Sequence, residues 1–118
     1  MTYHKLNTLL QGRNKSQRKL GHNTYATRFD LLDPAVISIR YHATNVLTFH
    51  PDGRVVFNSG GWRTSTTKQR LNRYGPANTY IHQHKFNWFI TTDAGTQPFY
   101  DGFTLQCPTV TPIVSALS

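Results

Sequence analysis

Seven short runs of β-branched and aromatic residues, none longer than seven residues, direct this chain toward a sheet of many small strands. They are Thr24–Phe29, Val36–His42, Asn45–His50, Arg54–Asn58, Thr79–His84, Trp88–Thr92 and Phe103–Gln106. The turn His50-Pro51-Asp52-Gly53 has a mechanism, since proline presets φ and glycine supplies a positive φ. It folds Arg54–Asn58 back on Asn45–His50 as a hairpin. Asp93-Ala94-Gly95 and Asp101-Gly102 make two later turns. The fold class this predicts is α+β, built on a curved, mainly antiparallel β-sheet or a small open barrel.

One short basic helix near 66–74 interrupts the strands. Thr66-Thr67-Lys68-Gln69 has capping-box spacing, with Thr66 accepting from a first-turn amide and Gln69 reaching back. Arg70–Tyr74 continues the helix, and Gly75-Pro76 stops it as a C′ glycine followed by a residue that cannot propagate it. A second, weaker helix fits Lys5–Leu10. Residues 11–19 are polar and basic, so the stretch 1–19 reads as a basic arm. Residues 107–118 form an uncharged tail with two prolines, read as an edge strand or an extended packing arm. A length of 118 residues fits one domain spanning 1–118, able to bury roughly two-thirds of its unfolded surface.

Charge says more about partners than about the fold. Thirteen Lys and Arg stand against five acids, all of them Asp, for a net +8. Residues 1–29 hold six bases and no acid, 30–60 come out at −1, and 61–85 return to +5. Scattered bases would serve as a solubilising surface. Two blocks around a near-neutral middle favour a polyanion, because aligned positive charge attracts phosphate backbones. Cys107, the one cysteine, excludes an intramolecular disulfide, and no Cys/His spacing reads as zinc. With no basic cluster beside it to lower its pKa, Cys107 reads as an unreactive thiol.

The stretch Asn58–Arg70 is the most informative. Gly60 and Gly61 let the backbone turn sharply, and hydroxyl residues then open a helix whose first amides lack partners and whose dipole favours an anion. A phosphate cradle follows, with Arg63, Thr66, Thr67, Lys68, Arg70 and Arg73 as its residues and Lys15, Arg18 and Lys19 of the arm assisting. The order G-x-x-x-x-G-K-[ST] is absent, so nucleotide hydrolysis is not implied. An ordinary capped helix with Trp62 in the core fits the same residues. Trp62 and Tyr74 flank the cradle and are the candidates for stacking unpaired bases, Tyr41, Tyr80 and Trp88 being further aromatics at the core edge. Phe49, Phe57, Phe89 and Phe103 alternate into a core.

Four elements carry a resemblance: Leu20-Gly21-His22-Asn23-Thr24-Tyr25, His42-Ala43-Thr44-Asn45-Val46, Pro51-Asp52-Gly53, and Asn58-Ser59-Gly60-Gly61-Trp62-Arg63-Thr64 through Asn72. Their order resembles that of a family of small accessory proteins carried by tailed bacteriophages, over roughly residues 19–74. His22 stands where that pattern has Asn. The resemblance implies a phage context and no particular activity.

Catalytic constellations are thin. The aspartates sit in turn-like contexts, and without Glu a paired-carboxylate hydrolase would need distant aspartates to converge. His42-Ala43-Thr44 has the shape of one half of a two-histidine phosphoesterase, but no second H-x-[ST] exists. His82 and His84 share one face of a strand without an evident third ligand, so no metal is assigned. The expectation is a binding protein without a cofactor, taking nucleic acid, a nucleotide or another phosphate-bearing ligand. One alternative is an inhibitor that binds a host defence protein or host enzyme. Another is a metal-independent ribonuclease using His42 and His50 as acid and base. The N-terminus lacks the apolar core of a secretory signal, and no run approaches the ~18 apolar residues of a membrane span. The expected setting is the host cytoplasm, with no membrane partner.

Overall fold

A computed structural model describes residues 1–10, 17–29 and 35–107. Two helices and nine strands lie among them, in the order α1 (Tyr3–Leu9), β1 (Gln17–Gly21), β2 (Thr24–Phe29), β3 (Val36–Tyr41), β4 (Thr44–Phe49), β5 (Arg54–Phe57), α2 (Ser65–Tyr74), β6 (Tyr80–His84), β7 (Asn87–Thr92), β8 (Gly95–Pro98) and β9 (Phe103–Gln106). One sheet has the order β1-β2-β3-β4-β5-β9 and a second the order β6-β7-β8. Every pairing is antiparallel. The fold is α+β, and the larger sheet stays open, with β1 and β9 at its two edges.

Tight turns produce this meander. The β1–β2, β3–β4 and β6–β7 connections have two residues each, and positive φ at Asn23 (50°), His42 (55°), Lys85 (49°) and Phe86 (70°) matches the twist that closes short hairpins. Gly53 takes φ 95° in the Pro51-Asp52-Gly53 turn, as its sequence predicts. Register shifts between Lys19 and Gly21 and between Ile39 and Arg40 bend the larger sheet.

The core lies between the larger sheet and the two helices and extends to the inner face of the smaller sheet. Leu6 and Leu10, Ile37 and Ile39, Leu47, Phe49 and Phe57, Leu71, Ile81 and Ile90 are all essentially inaccessible. The expected core phenylalanines 49, 57 and 103 are there. Phe89 is not, because alternation along β7 turns Trp88 and Ile90 inward and leaves Phe89 half-buried on the opposite face.

Several local readings are corrected. The helix starts one residue early, and its cap is Thr64, whose side chain accepts from the Thr67 N–H at 3.2 Å, in place of Thr66. Gly75 ends the helix in extended backbone; glycine is required there because a Cβ would meet the Leu71 carbonyl oxygen at 2.5 Å. Much of the stretch read as an arm is ordered: residues 3–9 are α1 and Arg18 and Lys19 belong to β1. Arg13, Lys15 and the tail from Pro108 lie outside the described residues. Cys107 is half-buried, and burial pushes its thiol pKa up.

Helix α2 fastens the two sheets together. The Asn72 carboxamide donates to the Ile81 carbonyl at 2.8 Å and accepts from the Ile81 N–H at 2.6 Å, which ties the helix to β6. On its other flank Arg70 Nε donates to Thr24 Oγ1 at 2.9 Å, and the Tyr74 hydroxyl reaches the Leu20 carbonyl at 3.3 Å.

Candidate functional site

Three segments far apart in sequence meet at one end of the larger sheet. They are the β1–β2 turn at His22-Asn23, the β3–β4 turn at His42-Ala43, and the loop 58–64 that leads into α2. The His42 N–H donates to the Asn23 carbonyl at 2.9 Å, and the Asn58 N–H to the Val46 carbonyl at 2.9 Å. Gly60 adopts φ +66° and passes so close to Thr44 that a Cβ would lie 2.6 Å from its Oγ1. Three of the four sequence elements noted above, around Asn23, His42 and Gly60, therefore build one place.

The loop is pinned by Asp101. Its Oδ1 accepts from the Ser59 N–H at 2.8 Å and the Ser59 hydroxyl at 2.7 Å. Partial burial alone would raise this carboxyl, but the two Ser59 hydrogen bonds, with help from Arg63 and the Gly61 amide, hold it below the usual carboxylate value. Fixed in this way, the loop projects Trp62 outward. That ring is 68% exposed, so it is not the core residue that one reading of the sequence made it.

Trp62 forms the rim of a cleft of about 420 Å³, whose walls are Tyr41, His42, Thr44, Thr64 and Thr66. The α2 N-terminus opens into it. Thr64 satisfies the Thr67 amide, while the amides of Ser65 and Thr66 have no acceptor within the helix. Behind the walls, the Arg70 guanidinium lies 4.8 Å over the Tyr41 ring, and Tyr41 meets the His42 ring at 4.4 Å.

The cations near the start of α2 lie on both flanks of the helix, and the partners described for two of them are neutral. Lys68 Nζ reaches Gln83 Oε1 at 3.5 Å and lies 5.9 Å over the Trp88 ring. Arg70 donates to the Thr24 hydroxyl and, at 3.4 Å, to the His22 carbonyl. These partners are neutral and cancel neither charge. Arg63 differs: it stacks 5.1 Å over Trp88 and 5.2 Å over Phe99, donates to Ser59 Oγ, and sits 3.9 Å from Asp101.

The predicted site residues thus divide. Thr66 and Thr67 line the cleft and Arg70 stands behind its Tyr41 wall, while Lys68 turns to Gln83 and Trp88 on the other flank of α2 and Arg63 to Trp88 and Phe99. Thr67 is buried, with its hydroxyl turned to Thr64 at 3.0 Å. Tyr74 is also buried, so it offers no face for stacking. Arg73 is exposed but lies at the far end of α2, roughly 10 Å along the axis from Thr66 at ~1.5 Å per residue. Arg18 and Lys19 occupy the exposed edge strand β1. His42 and His50 are not brought together. They cap opposite ends of β4, roughly 25 Å apart at ~3.3 Å per residue, and His50 faces Arg54. His82 is packed between Tyr80 and Phe89 while His84 is exposed. Among the described residues no three His, Cys, Asp or Glu side chains gather as a metal set. Tyr41 enters the site as a wall, and Thr64 as its cap. Thr64 had a visible signal, the hydroxyl directly before Ser65-Thr66-Thr67.

A family model described as Kyanoviridae Gp96 protein matches residues 2–106. The chain belongs to the Kyanoviridae Gp96 family. It is a bacteriophage protein, as the resemblance in its central elements implies. The Gp96 match also takes in α1 and both strands and turns of the C-terminal third, well beyond residues 19–74. No curated protein and no solved structure matches this Gp96 chain. No helix among its described residues is long and apolar enough to cross a membrane.

Proposed function

We propose that this Gp96 family member binds nucleic acid, or another phosphate-bearing ligand, at the Trp62 cleft and does so without catalysis, in the host cytoplasm. The observation that carries the reading is the pairing of an exposed indole with a helix N-terminus, backed by Arg70, whose described partners are all neutral. A phosphate placed against the Ser65 and Thr66 amides would meet the positive end of the α2 dipole, with the Thr66 hydroxyl as a further donor. Arg70 adds full charge from a fixed position behind the Tyr41 wall, so little of its freedom is lost on binding, and Lys68 adds longer-range charge from the other flank of the helix. An unpaired base would stack on Trp62, and Tyr41 with His42 supplies the facing wall. Among the described residues lining the cleft His42 is the one imidazole, with no carboxylate beside it, which favours binding over cleavage.

The two tryptophans make a direct test. Trp62 is 68% exposed and Trp88 is 4% exposed, so iodide quenching of the intrinsic fluorescence reports on Trp62. Titration with single-stranded DNA, duplex DNA, RNA and free nucleotides at several salt concentrations should protect Trp62 from iodide. The logarithm of affinity should fall linearly with the logarithm of salt. Trp62→Ala should weaken binding by about tenfold, in line with one lost stacking contact. If no polyanion protects Trp62 and a host protein does, the surface is a protein-binding one and the phosphate reading fails.

A further inference from the structure

The smaller sheet has an outer face that the core does not use. Alternation sends Ile81, Trp88 and Ile90 inward, so Tyr80, His82 and His84 of β6 share the other face with Asn87, Phe89 and Thr91 of β7. Three of those rings stack on one another in nearly parallel planes, with His82 in the middle and Tyr80 at the exposed end. Tyr80 and His82 are 5.6 Å apart at 12°, and His82 and Phe89 are 6.0 Å apart at 26°. His82 Nε2 lies 2.9 Å from Thr91 Oγ1, itself 2.7 Å from Thr96 Oγ1, which fixes the middle ring. Tyr80 stays 58% exposed.

The hairpin that closes this sheet adds a fourth ring. Lys85 and Phe86 form its two-residue turn, both at positive φ, a conformation that Asn-Gly adopts at far less cost than Phe. Phe86 is 94% exposed there. A fully hydrated phenyl group at a disfavoured φ contributes nothing to the fold that Gly would not provide better. Strain of this kind is maintained where the side chain has a use outside the core.

The two charges of residues 80–98 are separated: Lys85 sits at the hairpin tip, and Asp93 in the β7–β8 turn at the opposite end, so the tip end favours an anionic partner. Lys85 adjoins Phe86 in the turn, and Lys68 reaches Gln83 of β6 from the inner side of the sheet, where it also lies over Trp88. The Asn72–Ile81 and Lys68–Gln83 contacts set α2 antiparallel to β6, so the hairpin tip and the α2 N-terminus point the same way. A ring stack that ends in exposed Tyr80, a tip that carries Lys85 and Phe86, and the α2 N-terminus beside that tip together fit a chain of phosphates that carries unstacked bases.

We infer that the outer face of the β6–β7–β8 sheet, with Phe86 at its tip, is a stacking platform for the bases of single-stranded nucleic acid. This rests on the reading of the protein as a nucleic-acid binder and names the class it takes. A duplex hides its base faces and would gain only the charge contacts, whereas a single strand gains both.

The test uses the full chain, fluorescein-labelled oligodeoxythymidine of about twelve nucleotides and a duplex of equal length, with anisotropy as the readout. Parent protein should prefer the single strand. Phe86→Gly and Tyr80→Ala should each weaken single-strand binding by about tenfold and leave duplex binding unchanged. Phe86→Gly should also keep or raise the melting temperature, because Gly accepts the positive φ freely, so its lost affinity cannot come from unfolding. If both variants bind oligodeoxythymidine like the parent while Trp62→Ala does not, the platform is overturned and the cleft reading stands. Equal affinity of the parent for strand and duplex also overturns the platform. Binding to anionic phospholipid vesicles through Phe86, with no nucleic acid bound, overturns both.

Discussion

Two threonines two residues apart do different work at the mouth of the cleft. Thr64 accepts the Thr67 amide and so removes one unpartnered donor from the first turn, while Thr66 is exposed on the rim. Thr64→Ala should therefore cost about 1 kcal/mol of stability through the lost cap, and Thr66→Ala only a few tenths. Urea unfolding of the two variants checks this; equal losses, or a larger one for Thr66→Ala, would place the cap where the S/T-x-x-Q spacing puts it. Thr66→Ala then becomes the cleaner probe of ligand binding, because stability stays constant. Arg70 is a poor probe for the opposite reason. Its guanidinium holds Thr24 and the His22 carbonyl and covers Tyr41, so its removal disturbs the sheet end as well as the charge.

At the level of elements, α2 is the joint of the molecule, and Asn72 is its fastening to the smaller sheet. That carboxamide imitates a neighbouring strand by pairing both polar atoms of the Ile81 backbone. Asn72→Ala should cost about 1–3 kcal/mol, because it strands a donor and an acceptor at a half-buried edge. Amide exchange at Ile81 should accelerate more than exchange in β3 or β4, where the ladder continues on both sides; unchanged protection at Ile81 would show that β6 is held by its packing alone. The sequence made seven strands and α2 legible because each carries a run of β-branched and aromatic residues or a helix stop. It left out β1 and β8 for a physical reason. Gln17-Arg18-Lys19-Leu20-Gly21 and Gly95-Thr96-Gln97-Pro98 bury almost nothing, so no apolar pattern marks them, and pairing with β2 and β7 alone makes them strands. The cleft was half legible. Gly60-Gly61, the hydroxyl run and the bases announce a helix mouth, but Tyr41 and His42 arrive through a turn whose position only the sheet register decides. Phe86 gave no signal at all, since a phenylalanine next to a strand reads as core until the hairpin turn is placed.

Over the whole molecule, the two basic blocks of the sequence become neighbours. Residues 1–29 supply the edge strand β1 with Arg18 and Lys19, residues 61–85 supply α2, and the Tyr74–Leu20 and Arg70–Thr24 bonds hold the two together. One polyanion long enough to reach past the cleft can therefore meet both. Deleting residues 1–18 does not test this, because it removes Leu6 and Leu10, both fully buried, at about 2–5 kcal/mol each. That truncation should abolish cooperative unfolding. Arg18→Gln with Lys19→Gln is the informative change, since both residues are exposed on β1 and exposed charges contribute little to folding. The double variant should melt within a few degrees of the parent. Its slope of log affinity against log salt should be shallower by about one to two, at ~0.7–0.9 per lost phosphate contact. Affinity should converge with that of the parent as salt rises, because the stacking contribution of Trp62 does not depend on counterion release. An unchanged slope would confine the ligand to the α2 mouth and leave β1 as a charged edge whose lysine and arginine discourage pairing with another chain.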